Sequence, residues 1–428
     1  MSTDNPLLLL RQRRFAPLFV TQFLGAFNDN LFRNAMVILA IYSIYNDPAK
    51  EASFSTVAQA LFILPFFILS AIAGQLADSR DKAWMIRIVK TAEIVIMIAG
   101  AAGLILHNIP LLLIALFAMG VHSTFFGPIK YAILPQHLDK DHVLAGTGLV
   151  EAGTYVAILL GTIVGGLIPP TWAAVGVLLV AIIGRISGGM VPPAPPENSE
   201  TTDPVDWNIF RASWNLTRDV MKVRRVRLAI ICISFFWSIG ALLGAQFPPL
   251  VKNALMANEQ VATLFLSVFS IGIAVGSVAV NRLLKGKVSA KYSPIAANLM
   301  GLFVLMLWWG VSEWTPVSTE LMGVREFISY PLADLIILAL FGIAVFGGMF
   351  VVPLYAFLTV TVARNETART IAVNNIVNSG FMVAASLSLG LLINLGATIE
   401  GTLTYVAGAC LVAGGIAILL HRAGDEAG

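Results

Sequence analysis

Phe117-Ala-Met-Gly-Val-His-Ser-Thr-Phe-Phe-Gly-Pro-Ile-Lys-Tyr-Ala132 has an echo far along the chain, Phe341-Gly-Ile-Ala-Val-Phe-Gly-Gly-Met-Phe-Val-Val-Pro-Leu-Tyr-Ala356. Phe117/Phe341, Val121/Val345, Phe126/Phe350, Tyr131/Tyr355 and Ala132/Ala356 coincide at one constant offset. Shortly after, Gly153/Gly380, Val156/Val383 and Ala157/Ala384 coincide at a slightly larger one. Such an echo reads as two like halves of one chain.

Each copy sits within an apolar run long enough to cross a bilayer, which takes about 20 residues at about 1.5 Å each. The same criterion places runs at 15–44, 56–77, 84–106, 109–132, 143–168 and 171–191. A second set lies at 226–251, 260–284, 292–312, 333–362, 368–395 and 400–421. The expectation is an all-α membrane protein of about 12 transmembrane helices in two six-helix bundles, at 1–191 and 226–428. Two parallel repeats of six helices suit a carrier working by alternating access. Composition agrees: 57% of residues are apolar and only 12% charged, against roughly 45–50% and about 25% in soluble domains. Mean hydropathy is +0.83. A net charge of +3 gives no reason to expect nucleic acid. Cys232 and Cys410 fall inside apolar runs and read as small hydrophobes.

Between the bundles, 192–225 opens with Pro192, Pro193, Pro195 and Pro196. Trp207, Phe210, Trp214 and Leu216 then share one helical face, followed by Arg218, Lys222, Arg224, Arg225 and Arg227. This is expected to be a cytoplasmic linker carrying an amphipathic helix on the membrane surface. Lys and Arg concentrate in alternate loops, at Arg11–Arg14, Arg80–Lys90, Lys140, Arg211–Arg227, Arg282–Lys291 and Arg364–Arg369. The opposite side holds Lys50, Lys252 and Arg325. The bias places both termini in the cytoplasm, as an even number of spans requires. The basic Met1–Arg14 leads into a long run containing Asp29 and Arg33, which reads as an uncleaved first helix and not as a signal peptide.

Ionisable groups inside spans are costly and therefore functional candidates. They gather in the first half: Asp29 and Arg33, Glu93, His122 and Lys130, and Glu151. The second half offers amides, Asn374, Asn375, Asn378 and Asn394. Polar groups on one wall and apolar ones on the other would suit an amphiphilic substrate. Asp29 and Arg33, four apart, can pair on one face, either to neutralise each other or, with Asn28, Asn30 and Asn34, as a binding or gating cluster. Lys130 can pair with Glu151 or Asp29, or snorkel to the interface. His122 reads as a packed histidine in preference to a proton relay, and Glu93 as a helix-interface residue. The candidate substrate residues are thus Asp29, Asn30, Arg33, Lys130, Glu151, Asn375 and Asn378.

Gly74-Gln-Leu-Ala-Asp-Ser-Arg-Asp-Lys82 has a different logic. Gly74 would permit close helix approach. Asp78 would accept from helix-start amides or pair with Arg80, Lys82 or Arg87. Gly74, Asp78 and Arg80 are expected to latch one conformation. Gly161/Gly165 and Gly272/Gly276 read as packing seams. No phosphate-binding loop, H-x4-D acyltransferase motif or His-rich metal cluster is present in the sequence. A protein that moves something, with no cofactor, is expected, and not an enzyme.

The Gly74–Lys82 stretch resembles the helix 2–3 loop signature of the major facilitator superfamily. Gln22-Phe-Leu-Gly-Ala-Phe-Asn-Asp-Asn30, Gly127-Pro-Ile-Lys-Tyr-Ala-Ile-Leu134, Gly148-Leu-Val-Glu-Ala-Gly-Thr154 and Gly347-Gly-Met-Phe-Val-Val-Pro-Leu354 narrow the likeness. With Ile371-Ala-Val-Asn-Asn-Ile-Val-Asn-Ser379, they resemble the bacterial lysophospholipid transporter family. That family includes the transporter portion of fused transporter–acyltransferase proteins. The resemblance implies a major facilitator fold and a flippase. It would return lysophospholipids such as lysophosphatidylethanolamine from the outer to the inner leaflet of the bacterial inner membrane for re-acylation. It implies head-group contacts at Asp29, Asn30, Lys130 and Glu151, and an acyltransferase acting on the product; a monomer is expected. One departure stands out: related members carry a basic residue late in the seventh helix, where this chain has Gly244 and Gln246. The alternative is a proton-coupled exporter of drugs or metabolites using Asp29 or Glu151.

Overall fold

A computed structural model describes residues 6–195, 205–284, 289–315, 320–361 and 367–425. The helices in chain order are α1 (Ala16–Leu39), α2 (Pro48–Ser79), α3 (Lys82–Leu106), α4 (Ile109–Ala132), α5 (Leu134–His137), α6 (Lys140–Leu167) and α7 (Pro170–Gly189). They continue with α8 (Ile209–Val220), α9 (Arg224–Asn253), α10 (Glu259–Leu283), α11 (Ser293–Ser312), α12 (Val324–Ile328), α13 (Ala333–Thr361), α14 (Thr367–Asn394) and α15 (Ile399–Asp425). All but α5, α8 and α12 have 20 residues or more, or about 30 Å at 1.5 Å per residue.

Among the described residues, ten helices are long and apolar enough to cross a membrane. The long helices outside that set are α1, with Asn28, Asp29, Asn30, Arg33 and Asn34 in its middle, and α6, whose apolar stretch is Val156–Leu167. These two pack on each other. A Cβ at Gly161 of α6 would stand 3.1 Å from Leu31 N of α1, and one at Gly165 would stand 3.2 Å from Ala35 N. The glycine seam expected there is therefore real, and it brings the backbones close enough for Asn34 Nδ2 to donate to Thr162 O at 2.7 Å. The Asn34 side chain of α1 is thus satisfied by protein and not by lipid.

The chain forms two compact units, residues 1–39 with 68–212, and residues 40–67 with 213–428. In the first, α1 packs on α6 and α7, and α3 on α4 and α7. In the second, α9 packs on α14 and α15, and α11 on α13 and α15. The neighbour relations of α1, α3, α4, α6 and α7 thus recur in α9, α11, α13, α14 and α15, so the repeat seen in sequence is a repeat of packing. The Gly272/Gly276 seam is equally tight: a Cβ at Gly272 would lie 2.6 Å from Ala344 Cβ of α13.

Residues 40–67 belong with the second unit for a physical reason. The helix α2 begins eight residues before the expected 56, at Pro48, where Asp47 caps it by accepting from Ala49 N and Lys50 N at 2.9 and 3.1 Å. Those extra turns, about two, carry Glu51, which binds Lys252 and Asn253. Nearby, Ser55 donates to Ala245 O, and Gln246 Nε2 donates to Thr56 Oγ1 at 3.0 Å.

Candidate substrate site

The first unit holds a buried polar network built from α1, α3 and α4. Glu93 of α3 is its hub. It accepts from Asn28 Nδ2 at 2.8 Å, is ion-paired to Lys90 one turn earlier, and faces His122 Nε2 at 3.3 Å. On the other side of the imidazole, His122 Nδ1 lies 3.4 Å from Ser123 Oγ, which donates to Asp29 Oδ2 at 2.5 Å. Two carboxylates, an ammonium and an imidazole therefore meet in one apolar bundle. Buried charges are tolerable only when paired and hydrogen-bonded in this way.

Lys90 reaches the hub along a trough of missing side chains. Cβ atoms at Gly25 of α1 and at Gly184 and Gly188 of α7 would stand 3.3, 3.0 and 3.4 Å from atoms of its side chain. Its ammonium also sits 5.8 Å from the Phe126 ring centroid. In sequence Lys90 reads as one of a set of loop cations and Glu93 as an interface residue; both are fully buried, and together they form the centre of the network. The available signal was their i,i+3 spacing, the same kind that singled out Asp29 and Arg33.

The other expected residues divide into several places. Asp29 accepts from Ser123, while Arg33 donates to Asn30 Oδ1 at 2.8 Å and Asn30 Nδ2 donates to Ala26 O at 2.8 Å. Lys130 Nζ lies 3.5 Å from Thr154 Oγ1, which donates to Gln22 Oε1 at 2.8 Å. Gln22 is two turns before Asp29 on α1, so Lys130 and Asp29 address the same helix at different heights. The side chains of Glu151 and Asp78 lie outside the described residues. Three buried polar atoms of α1, Gln22 Nε2, Asn28 Oδ1 and Asp29 Oδ1, have no hydrogen-bond partner among the described residues.

In the second unit Asn378 accepts from Ser234 at 2.8 Å, whereas Asn375 is exposed. The buried amide of that pair is Asn374, whose Nδ2 and Oδ1 both lack a partner among the described residues. Gln246, late in α9, donates to Thr56 Oγ1.

One detail of the expected latch differs, at Gly74. A Cβ on Gly74 would meet no heavy atom within 4 Å, so close approach is not what glycine provides there. The acid described at the helix start is Asp81. It accepts from Trp84 N at 2.8 Å and from Ala194 N at 3.0 Å, tying α3 to the segment after α7.

A family model described as the Major Facilitator Superfamily matches residues 18–386. The lysophospholipid transporter LplT of Serratia proteamaculans (strain 568) is 30% identical over 396 residues, covering 91% of this chain and 90% of that one. LplT of Photorhabdus laumondii is 26% identical over 398 residues with the same coverage, 91% and 90%. Among solved structures, a D-xylose-proton symporter superposes with TM-score 0.68 at 13% identity, covering 95% of this chain and 96% of that one. The POT family transporter PepTSo gives 0.70 at 10% identity, covering 96% and 98%. These likenesses speak for the fold. The chain belongs to the Major Facilitator Superfamily, within its lysophospholipid transporter family.

Proposed function

We propose that the protein carries lysophospholipids across a bacterial inner membrane by alternating access, from the outer to the inner leaflet, with both termini in the cytoplasm. The observation that carries this reading is the buried α1 surface, where Gln22, Asn28 and Asp29 leave polar atoms unpartnered beside a paired set of charges. Buried polar groups are normally hydrogen-bonded to protein, water or a ligand, so these atoms are places at which a polar head group can be received. A phosphate needs a cation and an ammonium needs a carboxylate; Lys130 and Asp29 offer one of each. In this reading Asp29, Asn30, Arg33, Lys130 and Glu151 receive the head group, with Asn375 and Asn378 as further polar contacts. Gly74, Asp78 and Arg80 take part in the conformational change. The protein acts as a monomer, catalyses no reaction itself, and delivers its cargo to an acyltransferase.

A second reading, a proton-coupled exporter of drugs or metabolites, draws on one feature. Glu93, His122, Ser123 and Asp29 form a continuous chain with steps of 3.3, 3.4 and 2.5 Å, along which a proton could pass. The test is reconstitution in liposomes with labelled lysophosphatidylethanolamine outside, with and without a pH gradient and an uncoupler. Protein-dependent uptake that is lost in Lys130→Ala and Asp29→Asn supports the first reading. Uptake no greater than in protein-free liposomes overturns it, and gradient-driven drug movement in the same vesicles would install the second.

A further inference from the structure

The first unit carries a groove of about 740 Å³ that meets the polar network only at His122. Its walls are α3, from Trp84 to Ile96, and α4, from Phe117 to Phe125, with Leu76 and Arg80 at one end. Trp207, from the segment before α8, also lines it. Both walls are helices long and apolar enough to cross a membrane, so the groove lies along hydrocarbon. From Ile96 to Trp84 it runs 12 residues, about 18 Å at 1.5 Å per residue. That is close to one leaflet of a hydrocarbon core about 30 Å thick.

The two ends differ in chemistry. At the inner end the lining is Ile96, Ala92, Phe117 and Val121. At the other end stand Trp84 and Trp207, 53% and 69% exposed, and the exposed Arg80. Tryptophans mark the head-group level of a bilayer, and a guanidinium is suited to binding phosphate through two parallel hydrogen bonds. No acidic side chain among the described residues pairs with Arg80, and none lines the groove. The charge is therefore available to an anion.

We propose that this groove binds one acyl chain of a resident anionic diacyl phospholipid, with the lipid phosphate on Arg80. The site is separate from the one proposed for the transported head group, but the two share a wall. His122 lines the groove on one face and meets Glu93 with Nε2 on the other. A seated acyl chain packs against the imidazole that bridges Glu93 to the Ser123–Asp29 pair, so this lipid positions His122 without touching cargo.

The experiment is photo-crosslinking of the full-length protein in nanodiscs containing a diazirine-acyl phosphatidylglycerol, mapped by peptide mass spectrometry. The expected result is labelling concentrated on residues 84–96 and 117–125, at least fivefold above α7, whose exposed Val175, Leu179 and Ile183 report ordinary boundary lipid. Val121→Trp, which fills the groove, should remove the excess. Should that variant fail to fold, Arg80→Ala at an exposed position carries the test: the preference for phosphatidylglycerol over phosphatidylethanolamine should fall to unity. Labelling equal on α3, α4 and α7 would overturn the proposal as boundary lipid only. So would displacement of the label by lysophospholipid, which would make the groove part of the cargo path.

Discussion

Lys90 lies along Gly184: a Cβ added to that glycine would stand 3.0 Å from Lys90 Cε and 3.2 Å from Nζ. The bare backbone of α7 is what lets a lysine of α3 run inward to Glu93. A branched side chain at 184 would take the volume of the lysine stem and expel the ammonium. Gly184→Leu is therefore expected to unfold at markedly lower temperature in detergent micelles. The cost of stranding a buried charge is about 3–5 kcal/mol. An unchanged melting temperature would show that Lys90 has another route to the carboxylate.

The same pair makes a sharper prediction when both members are removed. Glu93→Gln leaves Lys90 buried without its counter-ion, and Lys90→Met leaves Glu93 facing Asn28 and His122 alone. Removing one member of a buried pair is costly, whereas replacing both by well-packed neutral groups is often neutral. The double variant should thus melt above either single variant, read by thermal unfolding of all three. Additive losses would mean that the two side chains act independently.

The fold was legible because a span must be long and apolar, and the duplicated Phe117–Ala132 pattern reported the repeat. The polar network was half legible. Asp29 and Asn30 stand out in an apolar run, but Lys90 follows Lys82 and Arg87 and so read as part of a basic loop. Its depth depends on which face of α3 it occupies and on glycines nearly a hundred residues away, neither of which local spacing reports. Asn374 and Asn375 show the same limit. Neighbours on a helix point about 100° apart, and only packing decides that Asn374 is the buried one. The eight-residue extension of α2 was hidden by Lys50 and Glu51, charges that read as loop until Lys252 is seen to neutralise Glu51.

That second ion pair anchors residues 40–67. Lys252 Nζ donates to Glu51 Oε1 at 2.6 Å, to Tyr45 O at 3.2 Å and to Ile41 O, while Asn253 Nδ2 donates to Glu51 Oε2 at 2.5 Å. One ammonium thus ties the segment after α1 and the start of α2 to α9 within the second unit. Lys252→Ala should raise hydrogen exchange across residues 45–54 while leaving α3 unchanged. Exchange rates matching the parent protein would mean that Ser55, Thr56 and Gln246 hold the segment without it.

His137 supplies a pH dependence with a definite sign. It sits at the end of α5 outside the long helices, its Nδ1 3.1 Å from Arg14 O and its Nε2 3.5 Å from Pro193 O. Burial pushes its imidazole below the ordinary 6.5, against a smaller upward pull from the carbonyls of Pro193 and Arg14. On acidification the unfolded chain therefore takes up its proton at His137 before the folded one does. Stability rises with pH wherever the unfolded state binds more protons. The contribution of this residue is complete above 6.5 and is lost as pH falls below that value towards the depressed folded pKa. The melting temperature should accordingly drop between pH 7.5 and 5.5. In His137→Gln, whose amide keeps a donor for one of the two carbonyls but cannot titrate, the drop should shrink. An equal drop in both proteins would assign the acid sensitivity to carboxylates and leave His137 as a neutral clasp between the start of α1 and the segment after α7.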